Sequence, residues 1–545
     1  MFPAVRGLEA HDDGLPETSV QPGLVRAVGA IGAATLASRL LGFVRDMVVA
    51  RAFGAGPATD AFFVAFRIPN LLRRLLAEGA LSTAFLPVFA EFLTLRSRPE
   101  FDRMFRCVAG ALLAALCTVT LVGILLAPLI VAVMAPGLAA DPQQARLATH
   151  LARLLFPYLI FVGLAALAMG ALNAHRRFFT AALAPAVLNV GMILAVLLLA
   201  RRMEVPIVSL AVGVLVGGLG QLLIQLPELR HSRVPLGPSL DLSHPGVRRI
   251  GVLLGPSVFG LAAVQLSVFV NTFLASLLPS GSISFLYYAD RVMEFPLGVF
   301  GIAVATASLP LLADQAARRD LAGLRDTLNF AIRLSCFVAV PASVGLILLR
   351  VPITRVLFER GQFGALDTEA TAWALGFYAL GLPAFAGTRI AAQAFYALQD
   401  TRTPVKVGIW AVSLNVVLGV ALMRPLSHGG LALASTCAST ANLVWLLWSL
   451  RRRLGPLGAG RLLASLARVG VATGFMAAWC GLLLVAWPAA GSRWMEAAWL
   501  GAAVAGGMGV YAGVSRGLRS EEWAALRMLL SRRAVGDRRT GTIGT

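Results

Sequence analysis

The stretch from Phe66 to Pro87, FRIPNLLRRLLAEGALSTAFLP, has the apolar content of a membrane helix but also contains three arginines and a glutamate. These are Arg67, Arg73, Arg74 and Glu78. A charged side chain at the centre of a bilayer costs about 2.5–3.5 kcal/mol even on insertion-based scales, so four of them are not expected to face lipid. The stretch is therefore either an amphipathic helix of a soluble protein or part of a membrane protein in which charged residues line a polar cavity.

Composition decides between these two possibilities. Of the 545 residues, 58% are hydrophobic and only 14% are charged, whereas soluble domains average about 25% charged residues. Apolar runs long enough to cross a bilayer recur from Val25 to Val514. The sequence therefore predicts an all-α polytopic membrane protein.

The apolar runs divide the chain into about fourteen predicted transmembrane helices. Their predicted limits are 25–52, 60–93, 105–135, 148–172, 179–200, 205–227, 249–277, 282–313, 326–349, 368–397, 404–423, 429–450, 462–487 and 495–515.

The connections between these spans alternate in charge. Arginines concentrate in one set of loops, which includes residues 96–106 and 451–453, whereas FGAGPATD (53–60) and LLPSGSI (277–283) contain no basic residue. The positive-inside rule places the arginine-rich loops, and with them both termini, in the cytoplasm. The net charge of +20 is then a basic cytoplasmic face toward anionic lipid. No basic domain lies outside the predicted spans, so no nucleic-acid partner is expected.

The chain repeats itself. ALNAHRRFFTAALAPAVLNV at 171–190 matches ALQDTRTPVKVGIWAVSLNV at 397–416, and Asn189 aligns with Asn415. Because an even number of spans separates the copies, they share one orientation, as in transporters built from two parallel halves around a central substrate site. The predicted organisation is a disordered cytoplasmic lead (1–24), an N-lobe (25–228), a C-lobe (246–453), two spans outside the repeat (460–516) and a basic cytoplasmic tail (517–545).

Charged residues inside the predicted spans fall on three polar stripes. At 100° per residue, the stripe of the first span occupies about 120° of that helix and the stripe of the eighth span about 100°. A third group follows Pro69 in the second span. The stripes contain, in chain order, Ser38, Arg39, Arg45 and Asp46; Asn70, Arg73, Arg74 and Glu78; and Tyr287, Asp290, Arg291 and Glu294.

These stripes allow two interpretations. In the first, they are structural ion pairs: Arg39 with Asp46, Arg74 with Glu78, and Arg291 with Asp290 or Glu294. In the second, arginines without a local acid, Arg45 and Arg73, face a cavity and bind an anion. The planar fork of arginine suits phosphate. Both interpretations stay open at this point.

Other chemistry finds little support in the sequence. No phosphate-binding loop, nucleophile elbow or catalytic dyad is present, so an enzyme is not expected and the chain does not hydrolyse ATP. The five cysteines stand singly in apolar runs, and the six histidines show no metal-ligand spacing. We therefore predict no metal site and no cofactor. Asn189, Asn271 and Asn415 are predicted to form hydrogen bonds between helices.

Two long segments carry a resemblance. SRLLGFVRDMVVARAFGAGPATDAFFVAFRIPNLLRRLLAEGALSTAFLPVFAEF (38–92) and YYADRVMEFPLGVFGIAVATASLP (287–310) resemble the two signature regions of the MurJ (MviN-type) lipid II flippases. The resemblance implies the multidrug/oligosaccharidyl-lipid/polysaccharide exporter fold, with two six-helix lobes in a V and two extra C-terminal helices. It also implies an inner-membrane transporter that moves lipid II, the undecaprenyl-pyrophosphate-linked peptidoglycan precursor, to the periplasmic leaflet.

The same resemblance implies roles for particular residues. Essential cavity arginines of the family fall on Arg39, Arg45, Arg73 and Arg291, and its conserved acids fall on Asp60 and Glu78. The two extra helices are expected to form a groove for the lipid tail. Some relatives bind sodium through aspartates of the seventh and eleventh spans, but here the corresponding positions are Asn271 and Gly419, with Asn415 retained. A coupling ion or the membrane potential is left open, as are cell-wall synthesis proteins as partners.

Three rival functions are distinguished by the cavity. A drug or cation exporter of the same superfamily requires exposed acids there, whereas arginines dominate. A flippase for another polyprenyl-pyrophosphate glycan is disfavoured only by the signature segments. A non-transporting scaffold for cell-wall synthesis would have no reason to carry the insertion cost of these charges.

Overall fold

The structure is a computed structural model, and it describes residues 22–73, 84–487 and 492–527. Most of the predicted lead, the tail beyond residue 527 and two of the predicted site residues, Arg74 and Glu78, lie outside the described residues. All regular secondary structure in the described residues is helical, as predicted.

The described part of the N-lobe contains ten α-helices, and some consecutive helices together form one span. Pro69 lies inside α2 and Pro128 inside α4, and short breaks separate α6 from α7 and α9 from α10. The helices are α1 (Pro22–Phe53), α2 (Pro57–Arg73), α3 (Leu86–Leu95), α4 (Arg98–Met134), α5 (Pro136–Ala139), α6 (Pro142–Leu155), α7 (Tyr158–Ala174), α8 (Phe179–Leu199), α9 (Val208–Leu223) and α10 (Leu226–His231).

The C-lobe follows the same order and is joined by two further long helices. A π-helical turn, Leu297–Gly301, separates α12 from α13. The helices are α11 (Pro245–Ser276), α12 (Ser282–Pro296), α13 (Ile302–Ala317), α14 (Leu321–Leu348), α15 (Arg350–Phe358), α16 (Ala365–Leu380), α17 (Leu382–Ala397), α18 (Arg402–Leu426), α19 (His428–Leu454), α20 (Ala459–Val485) and α21 (Arg493–Gly517). A last helical segment covers residues 521–527.

The length and apolar character of the helices make the chain a multi-pass membrane protein. Among the described residues, nine helical spans are long and apolar enough to cross a bilayer, or ten if α16 and α17, bent by 43° at their junction, form one span. Helices α1, α2 and α12, which carry the predicted polar stripes, are not among the nine. The prediction of fourteen spans is compatible with this architecture, although the exact count is not established by it.

The internal repeat is visible in side-chain contacts. Arg45 donates from Nη1 to Asn189 Oδ1 at 3.0 Å, and Asn415 donates from Nδ2 to Asn271 Oδ1 at 2.8 Å. Both pairs are separated by 144 residues. In the register that aligns Asn189 with Asn415, Arg45 corresponds to Asn271. The two lobes thus pair the same two helix positions by a hydrogen bond of opposite direction, with an arginine in the N-lobe where the C-lobe has a neutral amide.

The lobes meet at the helix ends remote from the chain termini, and their backbones touch there. The Gln362 amide donates to the Arg51 carbonyl at 3.0 Å. Gly54 and Gly361 have φ of +67° and +63°, and a Cβ on either would collide with the backbone of the opposite lobe, at Gln362 and Arg51 respectively. Glycine is needed at both positions because of the left-handed backbone and the close approach. We call this contact the seam.

Helices α20 and α21 pack against α14 of the C-lobe. Arg333 of α14 is buried and forms ion pairs with Glu521 at 2.9 Å and Glu522 at 3.3 Å. Glu522 is itself buried and accepts hydrogen bonds from Ser465 and Ser520. The two helices outside the repeat are therefore attached to the C-lobe through a buried charge as well as through apolar contacts.

Candidate anion site between the lobes

A single carboxylate, that of Asp46, joins two arginines from opposite lobes. Arg45 of α1 donates to Asp46 Oδ1 from Nη2 at 2.7 Å and from Nε at 3.0 Å. Arg291 of α12 lies with its Nε 3.5 Å from Asp46 Oδ2. The Asp46 side chain is only 4% exposed. A buried carboxylate needs such partners because an unpaired buried charge is costly.

Tyr287 completes the same contact from the C-lobe. Its hydroxyl donates to Asp46 Oδ1 at 3.2 Å and accepts from Arg45 Nη2 at 3.2 Å and from Arg291 Nη2 at 3.3 Å. Its ring stacks on Phe63 of the N-lobe, with centroids 3.9 Å apart. The sequence placed Tyr287 on the polar stripe but gave no indication of this role.

Asn189 orients the Arg45 guanidinium from α8. Its Oδ1 accepts from Arg45, as described above, and its Nδ2 donates to the Ser38 carbonyl at 3.1 Å. The predicted interhelical bond of Asn189 is confirmed. Ser38, predicted as a supporting residue, takes part through its backbone carbonyl.

The predicted ion pairs are corrected in two respects. Arg45, which was expected to lack a local acid, pairs with its neighbour Asp46. The pairing of Arg39 with Asp46 is wrong, because Asp46 is taken by Arg45 and by Arg291 of the other lobe. Local spacing along α1 could not reveal a partner supplied by the C-lobe.

The remaining pairing prediction for α12 is confirmed for one of its two acids. Arg291 Nη1 lies 2.7 Å from Glu294 Oε2. Asp290 has a different neighbourhood and lies within Coulombic range of Tyr378 on α16. Exposure rises from 11% for the Arg45 side chain to 29% for Arg291 and 43% for Glu294. The cluster is therefore open on one side and sealed on the other.

Arg73 lies at the described end of α2. Its Nε donates to Asn70 Oδ1 at 3.0 Å, and both Arg73 and Arg45 lie within Coulombic range of the buried Tyr158 hydroxyl. Arg73 thus belongs to the same polar region of the N-lobe, although no direct contact with Asp46 is present among the described residues. Arg74 and Glu78 follow it outside those residues.

Asp60 does not lie in the cluster but at the seam. Its buried carboxylate accepts from the Gly281 amide at 2.6 Å, from the Ser284 amide at 2.8 Å and from Ser284 Oγ at 2.6 Å. An N-lobe acid thereby caps the first turn of α12, a C-lobe helix, where unpaired amides favour a negative charge. The predicted supporting acid Asp60 therefore holds the lobes together on the sealed side.

The positions that correspond to the sodium site of some relatives form a neutral ring. Asn415 donates to Asn271, Asn271 Nδ2 donates to Ser435 Oγ at 3.1 Å, and Ser435 donates to Asn415 Oδ1 at 3.2 Å. In the described part of the chain, no group of three or more acidic, histidine or cysteine side chains could hold a metal. The two amides and the serine hydroxyl are hydrogen-bonded to one another, and no carboxylate belongs to this ring.

In chemical terms, the site between the lobes is a cationic cluster that already holds one anion, the Asp46 carboxylate. Two guanidinium groups share a carboxylate, and a hydroxyl bridges all three. Charge-assisted bonds of this kind are short and strong. Another anion with at least two oxygen acceptors could take the place of Asp46 on both arginines.

Comparison with known proteins places this geometry in a family. The family model described as "Lipid II flippase MurJ" matches residues 49–496. The chain is 39% identical over 434 residues to a lipid II flippase MurJ of Burkholderia cenocepacia, covering 79% of this chain and 84% of that protein. It is also 39% identical over 437 residues to a probable lipid II flippase MurJ of Vibrio cholerae, covering 79% and 83%.

Solved structures agree with this assignment. A lipid II flippase MurJ in an inward closed conformation has a TM-score of 0.75 and 25% identity, covering 89% of this chain and 97% of that one. An inward-facing multidrug resistance MATE family transporter of the MOP superfamily has a TM-score of 0.65 at 16% identity, covering 79% and 98%, a likeness of fold alone. The chain has a multi-pass transporter fold in which Arg45 and Arg291 share Asp46 between the lobes. It belongs to the MurJ family of lipid II flippases.

Proposed function

We propose that this protein moves lipid II from the cytoplasmic to the periplasmic leaflet by alternating access, and that Arg45 and Arg291, assisted by Arg73, bind the pyrophosphate of the substrate. The observation that carries the proposal is the sharing of Asp46 by two arginines from opposite lobes. Family membership supports the choice of substrate.

Asp46 acts in this proposal as a resident counter-ion. Without substrate it neutralises Arg45 and Arg291, which would otherwise repel each other in a region of low dielectric constant. An incoming diphosphate displaces the carboxylate and takes over the charge-assisted hydrogen bonds, each worth about 1.5–3 kcal/mol. Because the anion contacts both lobes, its binding draws them together, as alternating access around a central site requires.

The direction of access follows from the seam and from the charge of the loops. The lobes are joined at Asp60 and at Gln362, at the ends remote from the termini. The arginine-rich loops lie on the side of the termini, which the positive-inside rule assigns to the cytoplasm. The state described here is then closed toward the periplasm, and both termini are cytoplasmic.

The helices outside the repeat take the lipid tail in this proposal. In the apolar stretches of α20 and α21, only 28% and 17% of the residues are buried in the protein. Most of the surface of these two helices is therefore available to hydrocarbon. Membrane lipids cover the remaining surface. Proteins of cell-wall synthesis, which produce and consume the lipid-linked precursor, are the protein partners that this function implies.

The experiment that tests the function is depletion of the protein in its own cell, followed by measurement of the leaflet that holds lipid II. We expect lipid II to accumulate in the cytoplasmic leaflet. An unchanged distribution in a cell that lacks a second flippase would contradict the proposal.

A further inference from the structure

The outer surface of the C-lobe carries three tryptophans near the end where the arginine-rich loops lie. The rings of Trp410 on α18 and Trp445 on α19 have centroids 4.8 Å apart and meet edge-on, and Trp448 follows Trp445 by one helical turn. The three side chains are between 38% and 47% exposed. Their indole N–H groups form no hydrogen bond among the described residues. We call these three residues the tryptophan cluster.

Basic side chains lie at the loop end of the tryptophan cluster. The Arg452 guanidinium carbon is 3.6 Å from the centroid of the Trp448 ring, which is a cation–π contact. Lys406 precedes Trp410 by one helical turn on α18 and is exposed, as is Arg452. In the part of the chain that the structure describes, neither Lys406 nor Arg452 forms an ion pair with an acid.

The acid closest in sequence to Lys406 does not cancel this charge. The Asp400 carboxylate pairs with Arg453 at 2.6 Å and accepts from the Thr403 hydroxyl at 2.6 Å. Two further exposed arginines, Arg402 and Arg451, lie at the same ends of α18 and α19. The loop end of the tryptophan cluster therefore has an excess of positive charge.

A general interfacial belt does not explain the tryptophan cluster. Tryptophans of such belts are expected all round a membrane protein at the level of the headgroups. All nine tryptophans of this chain lie at or beyond residue 373, so the N-lobe has none. In the register of the internal repeat, Trp410 corresponds to Ala184 and Lys406 to Thr180, and Lys406 is the only lysine among the 47 basic residues. The arrangement is therefore specific to one face of the C-lobe.

This face has the chemistry that recognises the headgroup of an anionic phospholipid. Tryptophan favours the boundary between hydrocarbon and headgroups because its ring is apolar and its N–H is a donor. Further from the loop end, Val417, Val420 and Val444 are more than half exposed and offer an apolar surface to an acyl chain. Lys406 and Arg452 supply charge and donors for phosphodiester oxygens.

We propose that Lys406 and Arg452, together with the tryptophan cluster, bind the headgroup of an anionic phospholipid in the leaflet on the arginine-rich side of the molecule. In the orientation proposed above, this is the cytoplasmic leaflet. The site lies on the outer surface of α18 and α19 and shares no residue with the arrangement around Asp46. The inference does not depend on which substrate the protein transports.

The first test measures the binding of phosphatidylglycerol and phosphatidylcholine to the purified full-length protein by native mass spectrometry. The unaltered chain should bind one phosphatidylglycerol more tightly than phosphatidylcholine. The double variant Lys406→Gln and Arg452→Gln should bind phosphatidylglycerol about tenfold less tightly, because two groups that attract the headgroup are lost. Lys406→Arg should keep the affinity. Arg230→Gln, which removes an exposed arginine at the end of α10 in the N-lobe, is the matched control and should also keep it.

The single lysine allows a second test in a membrane. An amine-reactive reagent should modify Lys406 about fivefold more slowly in nanodiscs that contain phosphatidylglycerol than in nanodiscs of phosphatidylcholine alone, because only protein without bound lipid reacts. Replacement of the tryptophan cluster by leucines should remove most of this protection, while the surface charge of the nanodisc stays the same. An excess of inorganic phosphate in phosphatidylcholine nanodiscs should give no protection.

Four outcomes would overturn the site. Two concern binding: equal affinity of the unaltered chain and the double variant for phosphatidylglycerol, or equal affinity of the unaltered chain for the two lipids. Protection of Lys406 that persists without the tryptophan cluster would show an effect of surface charge alone. Protection by inorganic phosphate would show an adventitious ion only.

Discussion

At the scale of single residues, the site is organised around a shared acid. Asp46 accepts hydrogen bonds from Arg45 and from Tyr287 of the other lobe, and it forms an ion pair with Arg291 of that lobe. Asn189 and Tyr287 fix the orientation of the arginines. Neither arginine is free in this state, so in the proposed mechanism the substrate anion replaces the Asp46 carboxylate. The free energy of binding would then be the difference between the contacts of the substrate and those of Asp46.

This exchange predicts an unusual phenotype for Asp46→Asn. The substitution keeps the shape of the side chain and removes the competing charge, so we expect diphosphate to bind roughly five- to tenfold more tightly. Transport should nevertheless fall, because the lobes lose the ion pair that closes them in the absence of substrate. Ligand binding and growth complementation are the two measurements. Asp60→Asn, which alters the seam and not the cluster, is the control and should not tighten diphosphate binding. Weaker diphosphate binding by Asp46→Asn would argue against the exchange of anions.

Tyr287→Phe isolates the hydroxyl that bridges the cluster. The ring would remain stacked on Phe63, so we expect the melting temperature to change little. Loss of three hydrogen-bond partners should lower transport by about tenfold, the effect of one charge-assisted bond. Tyr288→Phe is the neighbouring control, since the Tyr288 hydroxyl has only a 3.5 Å contact with the Gly54 carbonyl. Equal transport by both variants would remove Tyr287 from the mechanism.

At the scale of elements, the seam brings backbone against backbone beside the aromatic contacts that join the two lobes. Backbone meets backbone at Gly54 and Gly361, and Asp60 caps α12 across the same boundary. The polar stripes and the seam are brought together by the same helices, α1, α2 and α12.

Gly361→Ala should therefore hold the seam apart. Its Cβ would meet the Arg51 carbonyl, and a φ of +63° is unfavourable for alanine. We expect faster amide exchange at Gln362, whose N–H bonds to Arg51, together with impaired growth complementation. Gly364→Ala is a matched control three residues away, because nothing lies within 4 Å of its Cβ and its φ is negative. Identical exchange in both variants would show that the seam does not depend on this contact.

At the scale of the whole molecule, much of the architecture could be predicted from the sequence because span length, loop charge and the repeat are local properties. Partners across the two lobes could not be predicted. Arg39 and Asp46 share a face of α1, but Asp46 pairs with Arg291 because the lobes bring α12 beside it. The 43° bend between α16 and α17 was not predicted either.

The last prediction concerns the two helices outside the repeat. Truncation after Arg453 removes Glu521 and Glu522 and leaves the buried Arg333 without its acids. An unpaired buried charge costs about 3–5 kcal/mol. The truncated chain should therefore insert into the membrane but fold poorly, even though both lobes are complete. Truncation combined with Arg333→Leu should restore a monodisperse protein in detergent, measured by size-exclusion chromatography, because the charge is gone. Neither truncated chain should support growth if α20 and α21 hold the lipid tail. Growth with the truncated Arg333→Leu chain would refute the role of α20 and α21 in holding the lipid tail. Equal yields of monodisperse protein from both truncated chains would show that the Arg333 ion pairs do not stabilise the fold.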